Sequence, residues 1–431
     1  MGKKMKARYL LVSAVLLMSF FMPVKKAFAS GFAVNTQGAF ALGQGNAVIA
    51  HTCGPSSVFF NPALISWLPG TRIEEGTTLI FSRTHFTSSL EGQGAETHNP
   101  VAFPSTFYIT HEINGSFSAG LGFFSNFGLT TNWSGDWEGR YIATKSSLDA
   151  FTLNPVISYR PIPQVALAAG VDFVYLRAEL DKQLNFSAFG LPDGSQSLKG
   201  HDTAAYGFNL GLAADLTRDV TLGLAYRSKI RTDISGTVEN VLPAGTPPAI
   251  AALFPTTDAR TSFFLPAQAN LGVAYKGFKK LVIELGGRWE GWSSFKDLEI
   301  KPVLPIAGMT DIVYPENWRD AYSFDAGARY QVSRRLGISA GYILETSPVP
   351  DDTLYPSIPS ASSDVYTLGA DWKYRNFRFG LGYGYQHVHA RAKNNLIDDN
   401  PFDGTLNAAT SANGTYKTDM HLVALSAGYS F

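Results

Sequence analysis

His387 and His389 stand two residues apart, a spacing that puts both imidazoles on one face of a strand, where a metal ion could bridge them. No third ligand at metal-site spacing accompanies them, so a polar strand position is the simpler reading. Other chemical candidates are equally thin. With eight histidines, His51 among them, a lipid hydrolase stays open, but no nucleophile motif supports one. Gly43-Gln44-Gly45 lacks the strand, the later glycine and the lysine of a phosphate loop. Cys53 is the sole cysteine and reads as a small buried side chain. The residues that remain suit binding. Leu184, Phe186, Phe189 and Leu191 crowd one non-strand segment, and Val241, Leu242, Ile250, Leu253 and Phe254 crowd another. Apolar groups gathered on loops mark contact with an apolar ligand.

Alternating strands must carry those loops. From His421 to Phe431, Val423, Leu425, Ala427, Tyr429 and Phe431 alternate with small or polar residues, and the chain stops on an aromatic carboxylate. That is the closing strand of an outer-membrane β-barrel, and it is the segment the barrel-assembly machinery would engage. At the other end Lys3, Lys4, Lys6 and Arg8 precede the apolar run 9–24, and Ala27-Phe28-Ala29 supplies a cleavage site, so residues 1–29 read as a signal peptide and Ser30 as the mature start. After it, no stretch is apolar for the ~20 residues a membrane helix needs. Thirty-five basic residues balance 35 acidic ones, which gives no reason to expect a nucleic acid partner.

Strand periodicity falls at 71–88, 101–113, 115–127, 146–160, 163–182, 200–216, 219–237, 260–276, 279–297, 318–333, 335–347, 363–375, 377–392 and 416–431. That predicts an all-β, antiparallel transmembrane barrel of about fourteen strands over 71–431. Short turns such as Arg375-Asn376 alternate with long loops near 183–199, 238–259, 298–317, 348–362 and 393–415, as periplasmic and extracellular ends do. Residues 30–70 break the pattern. They are glycine-rich yet hold Phe32, Phe40, Leu42, Ile49, Phe59 and Leu64, which suits a hatch inside the lumen better than an exposed tail. In the fifth strand Val174, Leu176, Ala178 and Leu180 read as the lipid face, and Phe173, Tyr175, Arg177, Glu179 and Asp181 as lumen. Arg177 is then the inward cation, and Lys182 needs a bulge to turn inward.

Several segments together resemble the FadL/TodX family of outer-membrane long-chain fatty acid and hydrocarbon transporters. They are Gly31-Phe32, Asn61-Pro62-Ala63, Phe124-Ser125-Asn126-Phe127-Gly128-Leu129, Trp292-Ser293-Ser294-Phe295, Asn317-Trp318-Arg319-Asp320 and Ser347-Pro348-Val349-Pro350-Asp351. The resemblance implies a monomeric barrel that needs no cofactor and passes a hydrophobic small molecule downhill. Loops carrying Leu184, Phe186, Phe189, Leu191, Leu242, Leu253 and Phe254 would capture the ligand, and Ser125 and Lys182 would hold its head group. Exit would be sideways, through a gap at a kinked third strand near Phe127 and Gly128, beside Asn61-Pro62-Ala63. A family basic position falls near Tyr314 here, so an uncharged hydrocarbon stays an alternative, with a general porin behind it. Contact with outer-membrane lipid and lipopolysaccharide follows from the fold.

Overall fold

A computed structural model describes residues 31–90, 92, 94–395, 397 and 411–431; the expected signal peptide lies outside them. The wall is a closed antiparallel barrel of fourteen strands. β1 is Thr71–Ser88, β2 Ser105–Glu112, β3 Phe117–Asn132, β4 Lys145–Ile162, β5 Val165–Leu184 and β6 Gly194–Asp215. β7 runs Val220–Arg227 and resumes as Ile230–Val241; β8 runs Thr257–Leu265 and resumes as Gln268–Tyr275. β9 is Leu281–Glu290 with an outer extension Asp297–Pro302, and β10 is Ala321–Gln331 preceded by Ile312–Pro315. β11 is Leu336–Glu345, β12 Ser363–Tyr374, β13 Phe377–Lys393 and β14 Gly414–Ser430. β14 closes on β1 from Ser430 opposite Arg72 to Gly414 opposite Ser88, so every interior wall strand has a partner on each side.

The outer face shows why these sequences form strands. Along β13, Phe377, Phe379, Leu381 and Tyr383 point outward and are exposed, while Gly380, Gly382 and Gly384 face the lumen. A Cβ at Gly380 would meet the Phe40 ring at 2.4 Å, so the inner face is small where the hatch presses on it.

Residues 31–70 fill the lumen with short helical turns: α1 (Ala39–Leu42), α2 (Ser57–Phe60) and a 3-10 turn over Pro62–Trp67. This segment is too short to bury a core of its own, and it packs apolar side chains against the wall instead, with Leu42, Val48, Val58 and Ile65 fully buried. Its polar ties run around the barrel. Glu284 of β9 accepts the Ile49 and Ala50 amides at 2.5 and 3.1 Å and stands 2.6 Å from His51 Nδ1. The Ala39 amide donates to Ser426 Oγ of β14 at 2.9 Å, Ser66 meets Ser158 of β4 at 2.7 Å, and Arg378 of β13 donates to the Cys53 carbonyl.

Candidate functional site

The third strand carries one extra residue. Phe124 lies opposite Thr152 of β4 and Phe127 opposite Ala150, so three steps on β3 match two on its neighbour. On its other side β3 pairs with β2 only from Ser118 to Phe123. Above Phe123 that edge is taken up by the start of the hatch: the Val34 amide donates to the Asn126 carbonyl and the Gly128 amide to the Phe32 carbonyl, both at 2.9 Å. Ala33 thus stands opposite Phe127 as a one-residue substitute strand. Higher up, the His98 amide donates to the Asn132 carbonyl at 2.8 Å and restores contact across the same side. Between Phe123 and Asn132 the wall is closed by hatch residues rather than by a strand of its own.

A cavity of about 1150 Å³ is lined by residues on both sides of this window. Its inner end is apolar, formed by Leu42, Ile80, Ile343, Val365, Val388 and Leu422, and its middle passes Ser125, Phe127 and Leu129. Its outer end reaches the membrane side of the wall at Phe123, Phe151 and Tyr175, whose rings stack in sequence at 6.2 and 6.4 Å. A second cavity of about 20 Å³, room for roughly one water, lies between Ile49, Phe59 and Phe60 on one hand and the polar Asn46, Arg227, Gln268, Arg288 and Asp325 on the other.

Above the window sits an aromatic box. Phe32 lies 4.5 Å from Trp292 and 5.7 Å from Trp318 between ring centroids, with Phe127 and Phe295 at 6.1 and 6.3 Å. Gly31 has φ +63° and lies so close that a Cβ would stand 2.8 Å from Trp318 and 3.2 Å from Pro348. Five of the six segments that carried the family resemblance therefore meet in space, Asn61-Pro62-Ala63 being the exception. Trp318 donates its indole N–H to Glu316 at 2.7 Å, and burial, with Asp297 nearby, pushes the Glu316 carboxyl up to about 8. Asp320 accepts the Ser293 amide and the Trp289 indole at 3.0 and 2.9 Å, which fixes the two loops to each other.

The fifth strand is oriented opposite to expectation. Val174 and Leu176 are buried against Phe127 and Ile230, while Phe173 and Tyr175 are about half exposed on the outer wall. Arg177 follows them outward, with its side chain 63% exposed and paired to Asp149 at 2.8 Å. It is not an inward cation. Alternation along the same strand puts Lys182 on the inner face with Leu184, without a bulge in β5; the irregularity lies in β6, where Val174 and Leu176 match Ala205 and Asp202. The expectation reversed the faces because the hatch makes the inner face of this strand as apolar as the outer one.

Asn61 is also placed differently. Its side chain donates to the Ile49 carbonyl at 2.8 Å and to Leu212 of β6 at 3.0 Å and accepts the Ala63 amide, so Asn61-Pro62-Ala63 caps the 3-10 turn and pins it near β6. The stretch beside the β3 bulge is Phe32 to Gln37; Gln37 donates to the Ser125 carbonyl at 2.8 Å. Among the loop residues, Leu184, Phe186 and Phe254 are buried in a cluster with Val238, Ile300 and Ile306, and Leu191 and Leu242 pack against it. Phe189 and Leu253 stay about 40% exposed, and Val303, Leu304 and Met309, overlooked in sequence, extend that patch. Their only signal was an apolar run within a long loop. The inner chamber residues Ile343, Val365 and Val388 were equally unremarked, because each looks like any strand residue.

A plugged barrel with apolar outer loops and a side window defines an outer-membrane passage for hydrophobic molecules. Residues 22–431 match the family described as outer membrane protein transport protein (OMPP1/FadL/TodX), and the chain belongs to that family. It is 26% identical to a long-chain fatty acid transport protein of Escherichia coli O6:H1, over 82% of this chain and 86% of that one. It is 27% identical to outer membrane protein P1 of Haemophilus influenzae, over 92% and 94%. Among solved structures, a FadL homologue of Pseudomonas aeruginosa superposes with a TM-score of 0.82 at 20% identity, covering 93% of this chain and all of that one. The toluene transporter TodX of Pseudomonas putida superposes at 0.70 and 17% identity, covering 91% and 98%. The protein is a FadL/TodX-type transporter of the outer membrane.

Proposed function

We propose that this chain is a passive, non-enzymatic channel for long-chain fatty acids or comparable hydrophobic compounds. Ligand is captured on the exposed loop patch around Phe189 and Leu253, moves into the lumenal cavity, and leaves sideways between β2 and β3. The observation that carries this reading is the single cavity that joins an apolar inner chamber to the membrane face where only hatch residues complete the wall. A greasy molecule has little reason to cross a layer that buries Arg227, Arg288 and Asp325. The moving part in this scheme is residues 31–36, held to β3 by two backbone hydrogen bonds, while the rest of the hatch keeps its ties.

Ser125 and Lys182 are assigned to the head group by their family positions, Lys182 at the inner face of the loop-side end of β5. One observation favours the hydrocarbon alternative. Among the described residues lining the cavity, Lys145, Arg177 and Lys199 lie on the outer wall, and the charged side chain of the inner chamber is Glu345, paired to Arg288. A carboxylate finds no cation there, whereas an uncharged ligand needs none. We assign the C-terminal strand to recognition by the barrel-assembly machinery and expect a monomer.

The side exit is tested by a reversible lock. Ala33 and Phe127 form a non-hydrogen-bonded antiparallel pair, whose Cα atoms lie about 4.5 Å apart in regular geometry, within disulfide reach. In a Cys53→Ser background, Ala33→Cys with Phe127→Cys should abolish uptake of oleate when oxidised and regain it on reduction. Undiminished uptake by the oxidised protein would send the ligand by another route.

A further inference from the structure

Four of the eight histidines lie on the outer wall of one sector. His387 and His389 are on β13, His421 on β14 and His85 on β1, all on the outward face. Register joins them. Arg83, Asp419, His387 and Asp364 lie opposite one another across β1, β14, β13 and β12. One step below runs Phe81, His421, Tyr385 and Tyr366, and one step above His85 faces Lys417.

Depth gives this patch its partner. Climbing β13 on the outer face, the residues are Phe377, Phe379, Leu381, Tyr383, Tyr385, His387 and His389: apolar, then amphipathic aromatic, then ionisable. The climb is about 40 Å of strand, or about 30 Å along the membrane normal at the usual tilt, just past an apolar band of about 25 Å. The histidines therefore stand at the head groups of the outer leaflet.

Every group facing them is on the same surface. His389 Nε2 is 2.7 Å from Asp364, which also accepts from Tyr342 of β11; His387 Nδ1 is 3.5 Å from Asp419, which accepts Tyr385 at 2.8 Å. His421 Nδ1 meets the Tyr383 hydroxyl at 2.8 Å. His85 and Arg83 share Glu96, on the short strand Gly94–Glu96 beside β1, at 3.3 and 2.6 Å. The basic side chains Arg83 and Lys417 stand against the carboxylates of Asp364, Asp419 and Glu96, so with neutral imidazoles the patch carries one excess negative charge. With all four imidazoles protonated it carries three positive charges, and the carboxylates are neutralised in place. Histidine is the side chain whose charge changes in mildly acidic conditions.

We infer that this sector is a pH-tuned docking surface for the phosphates of an outer-leaflet glycolipid, weakly engaged at neutral pH and gripped as pH falls. The surface is independent of what the channel transports. The test uses the full-length barrel in detergent with EDTA, titrated with bisphosphorylated lipid A and with its dephosphorylated form. Bisphosphorylated lipid A should bind about tenfold tighter near pH 5.5 than near pH 7.5, and the dephosphorylated form should show no such change. The quadruple variant His85→Gln, His387→Gln, His389→Gln, His421→Gln should lose the pH dependence, while His201→Gln, an outward histidine on β6, should retain it. Retention of barrel structure is read from heat-dependent gel mobility. A pH effect that survives in the quadruple variant, or that is equal for both lipids, overturns the proposal.

Discussion

Glu316 lies buried beside the aromatic box, hydrogen-bonded to the Trp318 indole. Its carboxyl rises from an ordinary value of 4.5 to about 8 because burial disfavours the ionised form. A carboxyl raised in the folded state makes folding take up a proton, so its contribution is full below the ordinary value and is lost progressively as pH climbs to about 8. Above that the box must hold a buried anion against the Trp318 indole. Tryptophan fluorescence should therefore show a transition centred near pH 8, and Glu316→Gln should remove it; an unchanged transition would place its origin elsewhere. The two cations of β5 separate as cleanly. Lys182→Ala should weaken oleate binding several-fold and spare an alkane, because an ionised head group draws on charge-assisted hydrogen bonds. Arg177→Ala, on the outer wall beside Asp149, should leave both ligands bound as before. Equal loss of both ligands in Lys182→Ala would remove it from the head-group site.

At the scale of elements, the hatch and the wall are one packing unit. Where the hatch backbone touches the wall, the wall is glycine: a Cβ at Gly223 of β7 would fall 2.0 Å from the Ile49 carbonyl oxygen, and at Gly341 of β11 2.2 Å from the Gly45 amide. Backbone cannot yield as a side-chain tip can. Gly223→Val should unseat this part of the hatch and raise ion conductance in planar bilayers above that of the parent barrel. Cys53 reports the opposite case. Burial, with Glu74 adding to it, pushes its thiol up to about 12, and the thiolate is the reactive form. It should resist maleimide in the folded protein with or without oleate, since the proposed motion involves only residues 31–36. Rapid labelling on addition of ligand would mean that the whole hatch leaves.

Across the whole molecule, function follows from where the barrel is apolar. A soluble protein hides its greasy surface; this one shows it to lipid on the outside, uses it to seat the hatch inside, and keeps a chamber between. Binding of oleate against an uncharged compound of similar size decides which branch of the family the chain serves, with preference for the neutral ligand agreeing with an inner chamber whose described lining residues include no cation.

The barrel itself was legible in the chain. Period-two alternation, turn residues such as Arg375-Asn376 and the contrast of short and long connections are local properties, so the fourteen strands lie close to where the pattern puts them. Their ends shift by a few residues, and the outer extensions of β9 and β10 were not foreseen because loop-borne strands have no lipid face to impose a pattern. The aromatic segments around Trp292 and Trp318 were visible as motifs, but their meeting around Phe32 was not, since hundreds of residues separate them. Alternation by itself shows that two faces exist and not which one meets lipid. In an empty barrel the inner face would be polar and the choice obvious; here an apolar hatch equalises the faces, and only the closed structure shows that Arg177 points out and Leu176 in. The window between β2 and β3 also exists only in three dimensions, because it is the absence of a partner along one strand edge, filled by residues that in sequence lie ahead of the wall.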